Sequence, residues 1–194
     1  MSKAKGTAAP SLVATQLEAK ERLGQDYSNS DEDIMGAGAI SFVAGAETTW
    51  STISTFIYAM LAFPACQTRA QQEIDSVIGS ERLPEFEDRK DLPYVEAMLQ
   101  ETLRAINLDE NLYADPHAFN PSRFLPKPEG NGEPYPNEAF GFGRRICPGR
   151  HLADASVWIA IASILAVFNI KRSISEDGTE IEPDISAPFR GGIS

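Results

Sequence analysis

The stretch 140-FGFGRRICPGR-150 sets four glycine or proline residues and three arginines around one cysteine, directly ahead of a long apolar run. Gly141 and Gly143 permit positive φ and close approach of a flat ligand. Pro148 stands where a helix begins, a position that proline favours. Cys147 is thereby placed at a helix N-terminus, beside free backbone N–H groups and near Arg144, Arg145 and Arg150. Such surroundings favour a thiolate, the state required of a nucleophile or a soft metal ligand.

Several uses of that thiolate can be weighed on composition. Zinc needs three or four Cys/His ligands at short spacing, whereas Cys66 lies far upstream and the histidines are His117 and His151 alone. Iron–sulfur clusters need more cysteines. A dinucleotide fingerprint fails, because Ile146 occupies the third glycine position after Gly141 and Gly143. A nucleophilic cysteine with His151 as base stays open, as does a plain glycine-rich turn holding a structural cysteine. Single-thiolate ligation of haem iron fits the composition best.

The chain has 194 residues, enough for one domain with a real core. A net charge of −11 argues against nucleic acid as a partner and disfavours an anionic membrane surface. Two cysteines without a framework read as a reduced intracellular pair. The N-terminus has no continuous apolar segment of the secretory kind. The longest apolar run, Val157 to Phe168, is shorter than the roughly 20 residues a spanning helix needs, so no membrane anchor and a cytoplasmic location are expected.

Residues 1–30 read as a loosely ordered lead-in, with a short helical pattern at Leu12, Val13 and Leu17 broken at Gly24. Residues 31–194 read as the main domain. Ser30 and the three acids after it announce a long helix that runs to Phe63, where Pro64 ends it. It is nearly apolar all round, so burial through the middle of the domain is expected. A second helix follows from Pro64 to Gly79, a third from about Asp91 to Arg104, and a last one from the cysteine loop to about Asn169. Between them, six prolines in 105–139 forbid regular helix or central strand and predict a meander. The Asp-Gly turn in the tail predicts minor edge strands.

Three further segments matter in combination. In 44-AGAETTW-50, Gly45 interrupts a helix and Glu47 and Thr48 are polar within an apolar run. Glu101 and Arg104, three apart in 101-ETLR-104, share a helix face. Pro121-Ser122-Arg123-Phe124 punctuates the meander. Alone, each has an ordinary reading: a helix–helix contact, a surface ion pair, a turn. Together with Phe140, Gly143, Cys147 and Gly149, which match F-x-x-G-x-x-x-C-x-G, they resemble the cytochromes P450 of fungi.

The resemblance spans nearly the whole chain and implies a mainly α, partial cytochrome P450 fold binding haem b (iron protoporphyrin IX). It implies Cys147 as iron ligand, Phe140 as its shield, Gly149 clearing space under the porphyrin and Arg145 pairing a haem propionate. On the distal helix it implies that Gly45 admits haem and oxygen, with Glu47 and Thr48 as the acid–alcohol pair of proton delivery. Glu101, Arg104 and Arg123 would form a buried charge cluster with a structural role. The implied activity is insertion of one oxygen atom of O2 into a small lipophilic molecule, in fungal secondary metabolism, with an NADPH-dependent flavoprotein reductase as partner. Members of the family are more than twice this length, with the N-terminal half and a few dozen residues at Arg104–Ala105 having no counterpart here. A haem-binding remnant without turnover, or an interaction module using exposed helix faces, are the rival readings. Full-length relatives are usually anchored to the endoplasmic reticulum. Arg89, Lys90 and Arg150 read as solvated charges, with reductase docking as their alternative use.

Overall fold

The computed structural model describes residues 10–106, 113, 115, 116 and 118–182. The order of α-helices is α1 (Leu12–Leu23), α2 (Asp31–Ala62), α3 (Pro64–Val77), α4 (Pro93–Ala105) and α5 (Arg150–Val167). Short 3-10 turns occupy the meander and the cysteine loop. The chain divides into two compact units, Met1–Glu47 and Thr48–Ser194.

In the first unit, Ser11 caps α1 through its hydroxyl, which accepts from the Ala14 amide at 3.1 Å. Gly24, with φ of 57°, ends that helix. A reciprocal box opens α2: the Ser30 hydroxyl accepts from the Asp33 amide at 3.1 Å, and the Asp33 carboxylate accepts from the Ser30 amide at 2.9 Å. The Ser30 hydroxyl also donates to the Asp33 carboxylate at 2.7 Å, and that bond, with the one from the Ser30 amide, holds the Asp33 carboxyl below its usual pKa. A Cβ at Gly38 would lie 2.6 Å from a Val13 methyl, so the glycine lets α1 approach α2 closely.

In the second unit, the end of α2 joins α3, α4 and α5 around Phe56, Met60, Ile74, Met98, Trp158 and Ile161, all at most 1% exposed. Pro64 at the first position starts α3, as the sequence predicts. The third helix begins later than expected. Phe86–Asp91 is a 3-10 turn, and Pro93 at the first helical position sets the start of α4. Its free N-terminal amides are met from α3, where the Glu73 carboxylate accepts from Tyr94 at 2.9 and 3.0 Å and from Val95 at 2.9 Å. Burial nevertheless pushes the Glu73 carboxyl above its usual pKa, against the effect of those amides. Gln67, 3% exposed, holds the chain beyond α5 through Asn169 and both backbone groups of Ile170.

The structure corrects one expectation and bears on two others. Apart from Ile34 near its start, the long helix α2 is buried towards its C-terminal end and not through its middle. Met35, Ile40, Phe42, Val43 and Trp50 are 58–76% exposed, because apolar composition specifies what a helix surface prefers without supplying a partner to cover it. Among the described residues the tail forms no strand. The Asp177-Gly178 turn is present, with Gly178 at φ of 84°, but it supports a single antiparallel bridge between Ile174 and Glu180. The rest of the tail lies outside the described residues. Finally, α5 as a whole is long and apolar enough to cross a membrane by length and composition, although its uninterrupted apolar run is shorter. Its Val157, Trp158, Ile161, Ala162 and Leu165 are nonetheless buried in the core of the second unit.

Candidate functional site

The cysteine loop is built from two 3-10 turns, Asn137–Phe140 and Gly143–Arg145, that lead into α5. Gly141 and Gly143 take φ of 73° and 63°, the left-handed region where a side chain would strain the backbone. Their geometry turns the chain back on itself. The Cys147 amide donates to the Phe140 carbonyl at 2.8 Å and closes the loop. Gly149 is the N-cap residue of α5, so Cys147 stands two residues before the helix cap.

Cys147 is a free, half-buried thiol. Phe140 beside it packs partly against the core cluster. A Cβ at Gly149 would lie 3.9 Å from the Cys147 sulfur, and one at Gly143 would meet nothing within 4 Å. Arg144 and Arg145 are exposed. Among the described residues no carboxylate forms an ion pair with either. His151 is exposed, and its Nε2 accepts from Arg150 Nε at 3.2 Å. No hydrogen bond joins it to Cys147, which weakens the nucleophile reading. Cys66 is a different kind of thiol: burial pushes its pKa up, and its sulfur lies 3.8 Å from the Phe119 carbonyl.

Whether haem suits this loop is a question of donor chemistry. Among the described residues there is no group of three or more His, Cys, Asp or Glu that could hold a metal ion. A lone thiol on an open, glycine-lined loop fits a metal that brings its own equatorial ligands. It does not fit zinc, which draws its ligands from the protein. The residues present fit haem.

On α2, Gly45, Glu47 and Thr48 are all exposed, and a Cβ at Gly45 would meet nothing within 4 Å. The Thr48 carbonyl accepts from the Thr52 hydroxyl at 2.9 Å, within the helix itself.

Glu101, Arg104 and Arg123 are brought together at 0–3% exposure. Glu101 Oε2 accepts from Arg104 Nε at 2.8 Å and from Arg123 Nε at 3.1 Å. Its Oε1 accepts from the Asn120 amide at 2.7 Å. Arg104 Nη2 also donates to Glu101 Oε1 at 3.0 Å, and Arg123 Nη1 lies 3.6 Å from Glu133 Oε1. Both guanidiniums reach meander carbonyls as well, Arg104 those of Pro116 and Ala118, Arg123 those of Asp115 and Ala118. One buried carboxylate thus fastens the meander to α4 with its charge fully compensated.

A second network is not legible in the sequence. Arg89 donates to Glu96 at 2.7 and 3.0 Å and to Asp154 at 2.6 Å, and Asp154 also accepts from the Tyr135 hydroxyl at 2.8 Å. Burial works against the Arg89 charge, but its hydrogen bonds to both carboxylates outweigh that and hold its pKa above the ordinary value. Arg89 is therefore not the solvated charge the sequence predicts. Lys90 is, at 79% side-chain exposure.

Comparison with known proteins fits this geometry. The Cytochrome P450 family model matches residues 5–108 and 105–187. The chain is 37% identical to cytochrome P450 monooxygenase 98 of Postia placenta, over 92% of this chain and 42% of that protein. It is 37% identical to cytochrome P450 monooxygenase CLM2 of Gibberella zeae, over 98% of this chain and 43% of that one. Among solved structures, a zebrafish cytochrome P450 with abiraterone gives a TM-score of 0.74 at 26% identity, covering 87% of this chain and 48% of that one. The chain therefore spans under half the length of the relatives it matches.

Proposed function

Because this chain belongs to the cytochrome P450 family, we propose that it is part of a haem-thiolate monooxygenase in which Cys147 is the protein's one ligand to haem iron. The observation that carries the reading is the closed loop of Phe140 to Cys147, ending in a free thiol at the start of α5. When bound, haem b supplies dioxygen activation, the chemistry by which one oxygen atom enters a small lipophilic substrate. Every other role falls to residues of the chain. Phe140 limits access of water to the sulfur, and Gly143 and Gly149 keep the loop surface clear of side chains. Arg145, exposed and without an internal carboxylate, pairs a propionate. Glu47 and Thr48 hold and pass protons at the carboxylate and the hydroxyl oxygen. Glu101, Arg104 and Arg123 keep the meander in place.

A flavoprotein reductase using NADPH as partner, cytoplasmic residence of this chain and a role in fungal secondary metabolism belong to the same proposal. They rest on the resemblance to the fungal monooxygenases. So does an internal gap at Arg104–Ala105. The family model matches in two pieces that meet at 105–108, and 218 positions align with a chain of 194 residues. Sequencing the transcript across that junction tests it: coding sequence for the extra residues supports a gap in the gene model, and a contiguous junction removes it.

One observation favours a second reading, a haem-binding chain without turnover. Gly45, Glu47 and Thr48 are exposed, and water around an exposed carboxylate and hydroxyl weakens the electrostatics of proton delivery. Purified chain titrated with hemin, reduced and exposed to carbon monoxide should give a cysteine-ligated absorbance band that Cys147→Ser abolishes. Product formation with a reductase then separates an enzyme from a haem-binding remnant. Absence of the band in the wild-type chain overturns both.

A further inference from the structure

The loop around Cys147 has a second closure besides its backbone hydrogen bond. Tyr135 enters the loop and Asp154 lies on the helix that leaves it, with Cys147 between them in the chain. The Tyr135 hydroxyl donates to Asp154 Oδ1 at 2.8 Å, so one side-chain contact joins the two legs of the loop. Pro134 and Pro136 flank Tyr135 and restrict the backbone on which its ring is carried. The ring itself packs partly against the core cluster. The other carboxylate oxygen of Asp154 accepts from Arg89 at 2.6 Å, and Arg89 is in turn held bidentate by Glu96 of α4. The Arg89 guanidinium also lies 5.5 Å from the ring centre of the fully buried Trp158.

We propose that Asp154 is a positioning residue for the cysteine loop, clasping its entry through Tyr135 and tying its exit to α4 through Arg89. The clasp acts on Cys147 by limiting how far the two legs of the loop can separate. With it closed, the Phe140 carbonyl and the Cys147 amide stay within hydrogen-bond range, and the sulfur keeps one place relative to α5. Without it, the glycine-rich turn has many backbone conformations open to it, since Gly141 and Gly143 restrict φ least of all residues. This proposal rests on Cys147 being the iron ligand only for its functional consequence. The clasp itself is a property of the chain without haem.

The test therefore has two arms on the whole 194-residue chain. In the first, without haem, amide hydrogen exchange is measured for wild type, Tyr135→Phe and Asp154→Asn, with Tyr27→Phe as a hydroxyl deletion in the first unit. Loss of one hydrogen bond at a loop closure should speed exchange at the Cys147 amide by about tenfold while the amides of α4 stay as in wild type. Unchanged exchange at Cys147 in Tyr135→Phe overturns the proposal. So does an equal acceleration at every amide, which is what mere loss of global stability gives. In the second arm, hemin is added and the ratio of cysteine-ligated to other haem absorbance is read after reduction under carbon monoxide. Tyr135→Phe should lower that ratio several-fold and Tyr27→Phe should leave it unchanged; a wild-type ratio in Tyr135→Phe counts against the clasp. If the wild-type chain takes no hemin, the proposed function falls, while the exchange arm still decides for or against the clasp.

Discussion

Between Thr52 and Met60, α2 buries Thr52, Thr55, Phe56, Ala59 and Met60, whereas Met35, Ile40, Phe42, Val43 and Trp50 of the same helix are 58–76% exposed. Both stretches are apolar, and both obey the same hydrogen-bonding pattern. The difference is the neighbour. Phe56 and Met60 meet the side chains of the second unit's core, and that burial removes apolar area from water at about 25 cal/mol per Å2. The exposed residues gain nothing of the kind, so apart from the buried Ile34 the helical form there rests on backbone bonds, the acidic first turn and the Ser30–Asp33 box. Helix formation and helix burial are separate facts, set by different parts of the sequence.

The largest expected effect lies in the closed region. Glu101→Ala removes the one carboxylate between two buried guanidiniums and also leaves the Asn120 amide without its acceptor. Breaking a buried pair from one side costs about 3–5 kcal/mol, so the second unit should lose most or all of its cooperative urea transition. A midpoint near that of wild type would mean that the meander is fastened elsewhere. Phe56→Ala and Phe42→Ala then compare the two ends of α2 directly. Phe56 is fully buried, and its truncation should cost about 3–5 kcal/mol. Phe42 is 76% exposed and its truncation should stay within about 0.5 kcal/mol. Equal losses would show that something covers Phe42 in solution.

A smaller effect separates helix start from helix packing within the closed region. Glu73→Ala removes the carboxylate that satisfies the Tyr94 and Val95 amides at the head of α4. Loss of such a cap costs about 1–2 kcal/mol. The measurement is the urea midpoint together with exchange at those two amides. An unchanged midpoint would mean that water replaces the carboxylate without loss.

How much of this was legible follows from the range of each interaction. Pro64 stops α2 and starts α3 because proline acts on its immediate neighbours, and the sequence locates that boundary correctly. The start of α4 lies two residues beyond the expected Asp91, because Pro93 and a carboxylate from another helix define it. Glu101 and Arg104 are visible as a pair through their spacing, but their burial and their third partner Arg123 are not. Those were expected only from the resemblance to a family. The Arg89 network is invisible altogether, since its partners Glu96, Asp154 and Tyr135 belong to separate segments that only the packed helices bring together. The exposed half of α2 fails for the opposite reason: composition gives a preference, and no local signal says whether a neighbour satisfies it.

The smallest expected effect sets the baseline for the buried cluster by using an ion pair near the surface. Arg82 donates to both carboxylate oxygens of Asp88, at 2.6 and 2.7 Å, and the Glu85 amide donates to one of them at 2.8 Å. The hydrogen bonds from Arg82, with that from the Glu85 amide, hold the Asp88 carboxyl at about 2 against an ordinary value of 3.8. Because the folded value lies below the unfolded one, the unfolded chain takes up the proton first as the pH falls. The contribution of Asp88 is therefore present above 3.8 and is lost as the pH drops from there towards 2. Asp88→Asn cannot titrate, so its urea midpoint should fall less steeply than that of wild type across this window and run parallel to it above. Solvent screening keeps the difference small, in contrast to the large loss expected when the buried Glu101 cluster is broken. Parallel curves down to pH 2 would mean that the Arg82–Asp88 pair contributes nothing in solution.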